Sequence, residues 1–303
     1  MPYRNEEKPT FAGFPYSPPS AAAAQIGILG CEHGTLYPGR SLSHTAGAPL
    51  ALRRALKGSA IRRDRYDFDL DGVPPGDAVD CGDVDGDPAD AAGNRERITS
   101  AVAALLDRTM VPVILGGDDS IPIPVVAAFA DRGPITVVQV DAHIDWRDEV
   151  DGERFGYSSP MRRISEMPWV ERMIQIGMRG VGSARAEEVN AARRWGAHLV
   201  RSAEVHRLGL QPVLDLIPPG ARCFVTIDCD GLDPSIMPAV IAPAPGGLTY
   251  LQVIELLHGI ADRASIVGFD LVEFVPGQDP FGHAALTAAR IACNAIAAIV
   301  RPR

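Results

Sequence analysis

The sequence predicts an α/β fold built on a parallel sheet, and three observations carry that prediction. Apolar, β-branched runs alternate with longer helical stretches from about residue 24 to the C-terminus. Several of these runs are apolar nearly throughout, as strands covered on both faces of a parallel sheet are. Acidic residues gather at the ends of the runs, where open parallel sheets bind their ligands.

Candidate strands are 25–30, 111–116, 135–140, 172–177, 222–228 and 265–271, and helical segments include 94–108, 184–195 and 282–300. One helix start is especially well marked. Thr249 is followed three residues later by Gln252, a capping box, with Leu248 and Val253 placed to form a hydrophobic staple. The first 23 residues are polar and proline-rich and read as an arm. Residues 24–303 show no internal repeat, low-complexity tract or long linker, so a single domain is the simpler reading.

Composition excludes several classes. Of 303 residues, 46 % are hydrophobic and 22 % charged, the balance of a globular chain with a sizeable core. A formal net charge of −9 argues against a nucleic-acid partner, which would call for a basic patch. The cysteines (Cys31, Cys81, Cys223, Cys229 and Cys293) are scattered and form no C-x-x-C pair, so neither a disulfide framework nor a zinc ribbon is indicated. No run suits a signal peptide or reaches the ~18 consecutive apolar residues of a membrane span. A cytoplasmic protein without membrane or nucleic-acid partners is expected.

Four segments carry the chemistry. They are Gly116-Gly117-Asp118-Asp119-Ser120, Asp141-Ala142-His143-Ile144-Asp145, Asp228-Cys229-Asp230-Gly231-Leu232-Asp233-Pro234, and Asp270-Leu271-Val272-Glu273. A lone D-x-D after a strand is commonly a helix cap or a turn. Several acidic tips with an interposed His are another matter, because carboxylates packed in one crevice repel unless cations neutralise them. D-x-H-x-D sets alternate side chains on one side of an extended segment. A carboxylate-rich site with few imidazoles suits divalent ions such as Mn²⁺, and bridging carboxylates suit a pair of them.

These motifs resemble the signatures of the arginase/agmatinase (ureohydrolase) family. Asp141 to Asp145 looks like its D-A-H-x-D signature, and Thr226 to Pro234 resembles [ST]-x-D-x-D-x-x-D-P. Gly116 to Ser120 is similar to G-G-D-H-S with one change. Asp80-Cys81-Gly82-Asp83-Val84, Pro243-Ala244-Pro245-Gly246-Gly247-Leu248 and the Glu273 segment follow in the family's order. The resemblance implies a three-layer α/β/α domain with a mostly parallel eight-stranded sheet, assembled as a trimer or hexamer. It also implies two divalent metal ions, Mn²⁺ first and Ni²⁺ as the alternative. Asp141 and Asp228 would bridge them, Asp119 and Asp145 would complete the first site, and His143 and Asp230 the second. Glu273 would pair with a substrate guanidinium, and Ser158 and Ser159 would line the pocket; Met161 and Trp146, near the same loop, are candidates for the lining or for the core. Asp233 would hold its loop rather than touch metal.

Two positions depart from the pattern. Asp119 replaces the family's His, adding one negative charge and making bound water less acidic. Tyr157 stands where the family places a proton-shuttling His; an unperturbed Tyr titrates near pH ~10, which suits it to donating a hydrogen bond. His33 and His44, in the loop after the first strand, read first as surface or packed loop histidines, with an approach to the pocket as the alternative. Pro238-Ala239-Val240-Ile241-Ala242-Pro243 gives an apolar wall where the family often has flexible polar backbone. The expected activity is that of an agmatinase-like amidinohydrolase, with Asp145, Glu273 and Tyr157 as its catalytic groups, releasing urea and an amine from a small guanidino compound. Guanidino acids, guanidine and biguanides are the alternative substrates. The alternative role is a silent subunit supporting an active relative in a hetero-oligomer.

Overall fold

The computed structural model describes residues 9–56, 65–74 and 76–301. Its first half runs β1 (Ile26–Gly30), α1 (Ala48–Ala55), β2 (Ala78–Asp83), α2 (Ala91–Leu106), β3 (Val111–Leu115), α3 (Pro122–Ala127), β4 (Ile135–Val140) and α4 (Pro160–Ser165). There follow β5 (Val170–Met178), α5 (Ala186–Trp195), β6 (His198–Arg201), α6 (Ser202–Leu208) and α7 (Gln211–Leu214). The chain closes with β7 (Arg222–Asp228), α8 (Tyr250–Arg263), β8 (Ser265–Val272) and α9 (His283–Val300).

Among the described residues the strands form one eight-stranded sheet in the order β2-β1-β3-β8-β7-β4-β5-β6. Every neighbouring pair is parallel. Successive strand residues point to opposite faces, so Val137 and Phe224 join one core while Val138 and Val225 join the other. Leu52, Leu256 and Ala288 cover one face from α1, α8 and α9. Ile98, Val125, Ile164 and Ala192 cover the second from α2, α3, α4 and α5. The result is three layers, α/β/α.

All six strands read from sequence are present to within two residues at either end. β2 and β6, which were not, are the two edges of the sheet. The Thr249 cap forms as expected: its Oγ1 accepts from Gln252 N at 3.2 Å, and its N donates to Gln252 Oε1 at 2.9 Å. Leu248 and Val253 are both fully buried beside it.

Residues 1–8 of the expected arm lie outside the described residues. From residue 9 onward the arm is fastened to the domain, because Phe11 and Phe14 sink into the core. Phe11 N donates to Asp80 Oδ2 at 2.7 Å. Asp80 is itself held bidentately by buried Arg53, at 2.8 and 2.9 Å, which fixes β2 against α1. α9 has the length and mean hydropathy of a membrane span, yet Thr287, Arg290 and Asn294 interrupt its apolar run and it packs into the domain. Its Arg290 pairs with Asp67 and Asp69.

One feature of the strand order positions the site. From β3 the chain passes to β4 across the places taken by β8 and β7. The carboxyl ends of β3, β8, β7 and β4 therefore lie side by side, at a topological switch point.

Candidate metal centre and its pocket

Each of these four tips contributes an acid. After β3 the chain turns through Gly116 and Gly117, with φ of 78° and 87°. A Cβ on Gly117 would lie 2.3 Å from the Cys31 carbonyl oxygen, so no larger residue fits. The turn aims Asp119 into the crevice and ties it to β8. Asp119 N donates to Glu273 Oε1 at 2.8 Å, and Gly117 O accepts from Glu273 N at 2.9 Å. The Asp119 carboxylate is buried, and among the described residues neither of its oxygens has a hydrogen-bond partner.

After β4, Asp141 Oδ2 accepts from Gln139 Nε2 and Oδ1 from His143 N, both at 2.6 Å. Gln175 Nε2 donates in turn to Gln139 Oε1 at 2.6 Å, so two buried amides orient this carboxylate. Asp145 adopts a left-handed backbone, φ 42°, and its carbonyl accepts from Met161 N at 3.1 Å at the start of α4. After β7, Asp228 Oδ1 accepts from Asp230 N at 2.7 Å. Asp230 Oδ1 accepts from Ala142 N at 3.1 Å, and its Oδ2 lies 3.1 Å from His143 Nδ1. Glu273 follows directly on β8 with φ 64°. Such strained backbone is retained where the surroundings fix it, commonly at functional sites.

Two ligand sets emerge. Donor atoms of Asp119, Asp141 and Asp228 lie within 4.8 Å of one another, and so do those of Asp141, His143 and Asp230. Asp141 belongs to both. Burial first, then the neighbouring carboxylates, push Asp119, Asp141 and Asp228 well above the usual carboxylate range. Burial also raises Asp145, which lies beside Asp119 and Asp141. Burial opposes charge on Asp230 as well, but the hydrogen bond and charge of His143 outweigh it and lower Asp230. The same partner overcomes burial at His143 and raises it to about 9. These residues fit divalent cations: crowded carboxylates gain counter-charge, and the bare Asp119 oxygens gain a partner. Binding would displace the His143 proton.

A cavity of about 260 Å³ opens over this floor. His143, Asp145, Asp228, Asp230 and Glu273 line it, as do Tyr157 and Ser158. Val181, Gly182, Ser183, Ile241 and Ala242 complete its walls. Ser158 is thus where the sequence put it, with its N donating to Tyr37 Oη at 2.9 Å. Ser159 and Met161 are corrections to the expected lining. Both are fully buried outside the cavity, because α4 begins at Pro160 and turns Met161 into the core. Trp146 is core as well.

Of the two loop imidazoles, His33 packs near Gly86, whereas His44 reaches the site with Nε2 2.5 Å from Glu273 Oε2. Several supporting residues went unread. Arg179 donates to the carbonyls of Gly177 (3.1 Å), Asp230 (2.6 Å), Leu232 (3.0 Å) and Ala244 (2.8 Å), stapling the loops after β5 and β7 together. Gln139 and Gln175 did leave a signal, as polar residues inside otherwise buried strands. Asp233 holds its loop as expected, accepting from Ser235 N at 3.0 Å and Gly246 N at 2.8 Å.

An α/β/α sheet whose central carboxyl edge gathers five aspartates and a histidine beneath a small cavity defines a hydrolase of the guanidino-compound class. A profile of the arginase family matches residues 24–298, and the chain belongs to that family, whose members depend on a pair of metal ions. Proclavaminate amidinohydrolase of Streptomyces clavuligerus is 31 % identical over 300 residues, covering 95 % of this chain and 92 % of that protein. Its solved structure superposes with a TM-score of 0.81 at 28 % identity, covering 98 % of this chain and 99 % of that one. Mitochondrial arginase of Medicago truncatula is 30 % identical, over 90 % of this chain and 80 % of that protein. Agmatine ureohydrolase of Thermoplasma volcanium superposes with a TM-score of 0.75 at 27 % identity, covering 91 % and 90 % of the two chains.

Proposed function

We propose that this chain hydrolyses a C–N bond of a small, agmatine-like guanidino compound, releasing urea and an amine, with two divalent cations held by the acidic floor. The observation that carries the reading is the membership of Asp141 in both ligand sets. Asp119, Asp145 and Asp228 would complete one set, and His143 and Asp230 the other, with Asp228 shared. The oxygen-rich donors favour Mn²⁺, with Ni²⁺ second. When bound, such a pair supplies charge neutralisation and an acidified water as nucleophile.

The chain's own residues do the rest. Glu273 faces the cavity and accepts from the guanidinium, a charge-assisted contact. Asp145, beside Asp119 and Asp141, takes up the proton that the attacking water gives up. Tyr157 presents a hydrogen-bond donor to the departing amine. Among the described residues no Lys or Arg lines the cavity, and Val181, Ile241 and Ala242 offer an apolar path for a methylene stem. A substrate without a carboxylate near its head fits that lining. Assembly as a trimer or hexamer in the cytoplasm accompanies this reading.

The test is Glu273→Gln, which removes charge and keeps shape. Urea release should fall roughly 10²-fold, as losing a charge-assisted contact of about 3 kcal/mol implies. Metal content should hold. Equal rates for both forms, alone and in any co-purified assembly, would overturn the reading and leave the silent-subunit role.

A further inference from the structure

Both oxygens of Glu273 are engaged by groups of the chain itself. Oε1 accepts from Asp119 N at 2.8 Å, and Oε2 lies 2.5 Å from His44 Nε2. The pair is shielded, with 5 % of the Glu273 side chain exposed and 13 % of that of His44. At such a place the attraction between opposite charges is stronger than at the surface. Glu273 belongs to neither ligand set, and His44 touches it away from the backbone of Asp119, on its other oxygen.

The loop carrying His44 is pinned in place. Ser43 Oγ lies 2.8 Å from Thr45 Oγ1 and 3.4 Å from Asp118 Oδ2. The Tyr157 ring meets the imidazole edge to face with centroids 5.3 Å apart, and Tyr37 backs Tyr157 at 4.5 Å. The ionisable groups that act on the imidazole are Glu273 at the tip of β8, Asp118 in the turn after β3 and Arg40 from its own loop, with the Tyr157 phenol beside it. Burial opposes a charge on His44, but the hydrogen bond and charge of Glu273, with Asp118, outweigh it, and Arg40 pulls the other way. The imidazolium form is favoured beyond the ordinary range of a histidine.

A guanidinium that arrives at Glu273 therefore meets a cation already seated on the same carboxylate. Like charges so close disfavour one another, and the imidazolium is the one that can discharge. We propose that His44 is a positioning residue for Glu273 and gives up a proton when a guanidinium cation binds there. The proton leaves Nδ1 for solvent, and Nε2–H stays on Glu273 Oε2. The carboxylate remains oriented while its charge becomes available to the substrate. This rests on the reading that Glu273 receives the guanidinium.

Calorimetry on the Mn²⁺-loaded protein tests it, with acetamidinium chloride as a planar cation bearing the same paired N–H groups. Near neutral pH, titrations in two buffers of different ionisation enthalpy should give different heats, reporting proton release. Affinity should weaken on the acid side by up to about tenfold per pH unit. In His44→Gln the amide still donates to Glu273 but carries no charge. Its heats should agree between buffers, and it should bind more tightly than wild type at pH 6, a gain that a merely structural role does not give. Equal wild-type heats in the two buffers would overturn the proposal and leave the Glu273 reading intact; this arm decides even if the variant does not fold. Proton release that persists in His44→Gln would overturn it too. Absence of binding to wild type, or undiminished binding to Glu273→Gln, would overturn both.

Discussion

Asp119 and Asp270 share an anomaly and resolve it differently. Both are buried, and among the described residues no well-formed hydrogen bond holds a carboxylate oxygen of either, the Thr226 hydroxyl lying near Asp270 without good geometry. Asp119 converges with Asp141 and Asp228 at the carboxyl edge of the sheet, beneath the cavity. Asp270 stands alone within β8, in register with Ile114 of β3 and Thr226 of β7. Burial pushes it up to about 7, with the Thr226 hydroxyl pulling weakly back. Where several buried acids meet, the relief available is a cation; where one is isolated, the relief is a proton.

The largest test of that contrast is chelation. If cations relieve the Asp119 cluster, a protein carrying two of them per chain should lose stability on their removal. At ion concentrations about 1,000 times Kd the loss is about 4 kcal/mol for each site, or on the order of 10 °C in Tm. A melting curve unmoved by chelator, with no metal found by elemental analysis, would end the cation side of the comparison.

Asp270→Asn tests the proton side. Because the folded carboxyl titrates near 7 and the unfolded one near 3.8, its contribution to stability is fully present below pH ~4 and lost as pH rises through 7. The Asn variant lacks that loss, so between pH 5 and 8 its stability should fall less than that of wild type, by about 3 kcal/mol. Parallel denaturation curves across that range would show that Asp270 does not titrate there.

The smallest expected effect comes from Asp119→His, which keeps a ligand but removes one negative charge. The fold should hold and the pH–rate profile should move down by about one unit, as bound water becomes more acidic. An unchanged profile with both Mn²⁺ and Ni²⁺ would show that Asp119 is no ligand.

What the sequence made legible follows the physics of burial. β3, β4, β7 and β8 are covered on both faces and read as apolar runs, so the strands bearing the site stood out. The edges did not. β2 carries Asp80, Gly82 and Asp83 in six residues, and β6 has four residues, none fully buried. An edge needs no continuous apolar signature. Asp141, His143, Asp228 and Asp230 were readable because period-two spacing places them locally. His44 and Glu273 are 229 residues apart, and only the fold brings them together, so their pairing left no local signal. Ser159 and Met161 were misjudged for the converse reason. Nearness in sequence to Ser158 says nothing of direction once α4 begins.

The Arg179 staple has a consequence for how such a protein can change. Its guanidinium grips only main-chain carbonyls, so it is indifferent to the side chains carried by the loops it joins. Val181 and Ile241 project from those loops into solvent, fully and 42 % exposed. Exchanges at these two positions can remodel the cavity rim while Asp230 stays anchored through its own carbonyl. The shape of the rim can thereby change one side chain at a time, without disturbing the acidic floor beneath it.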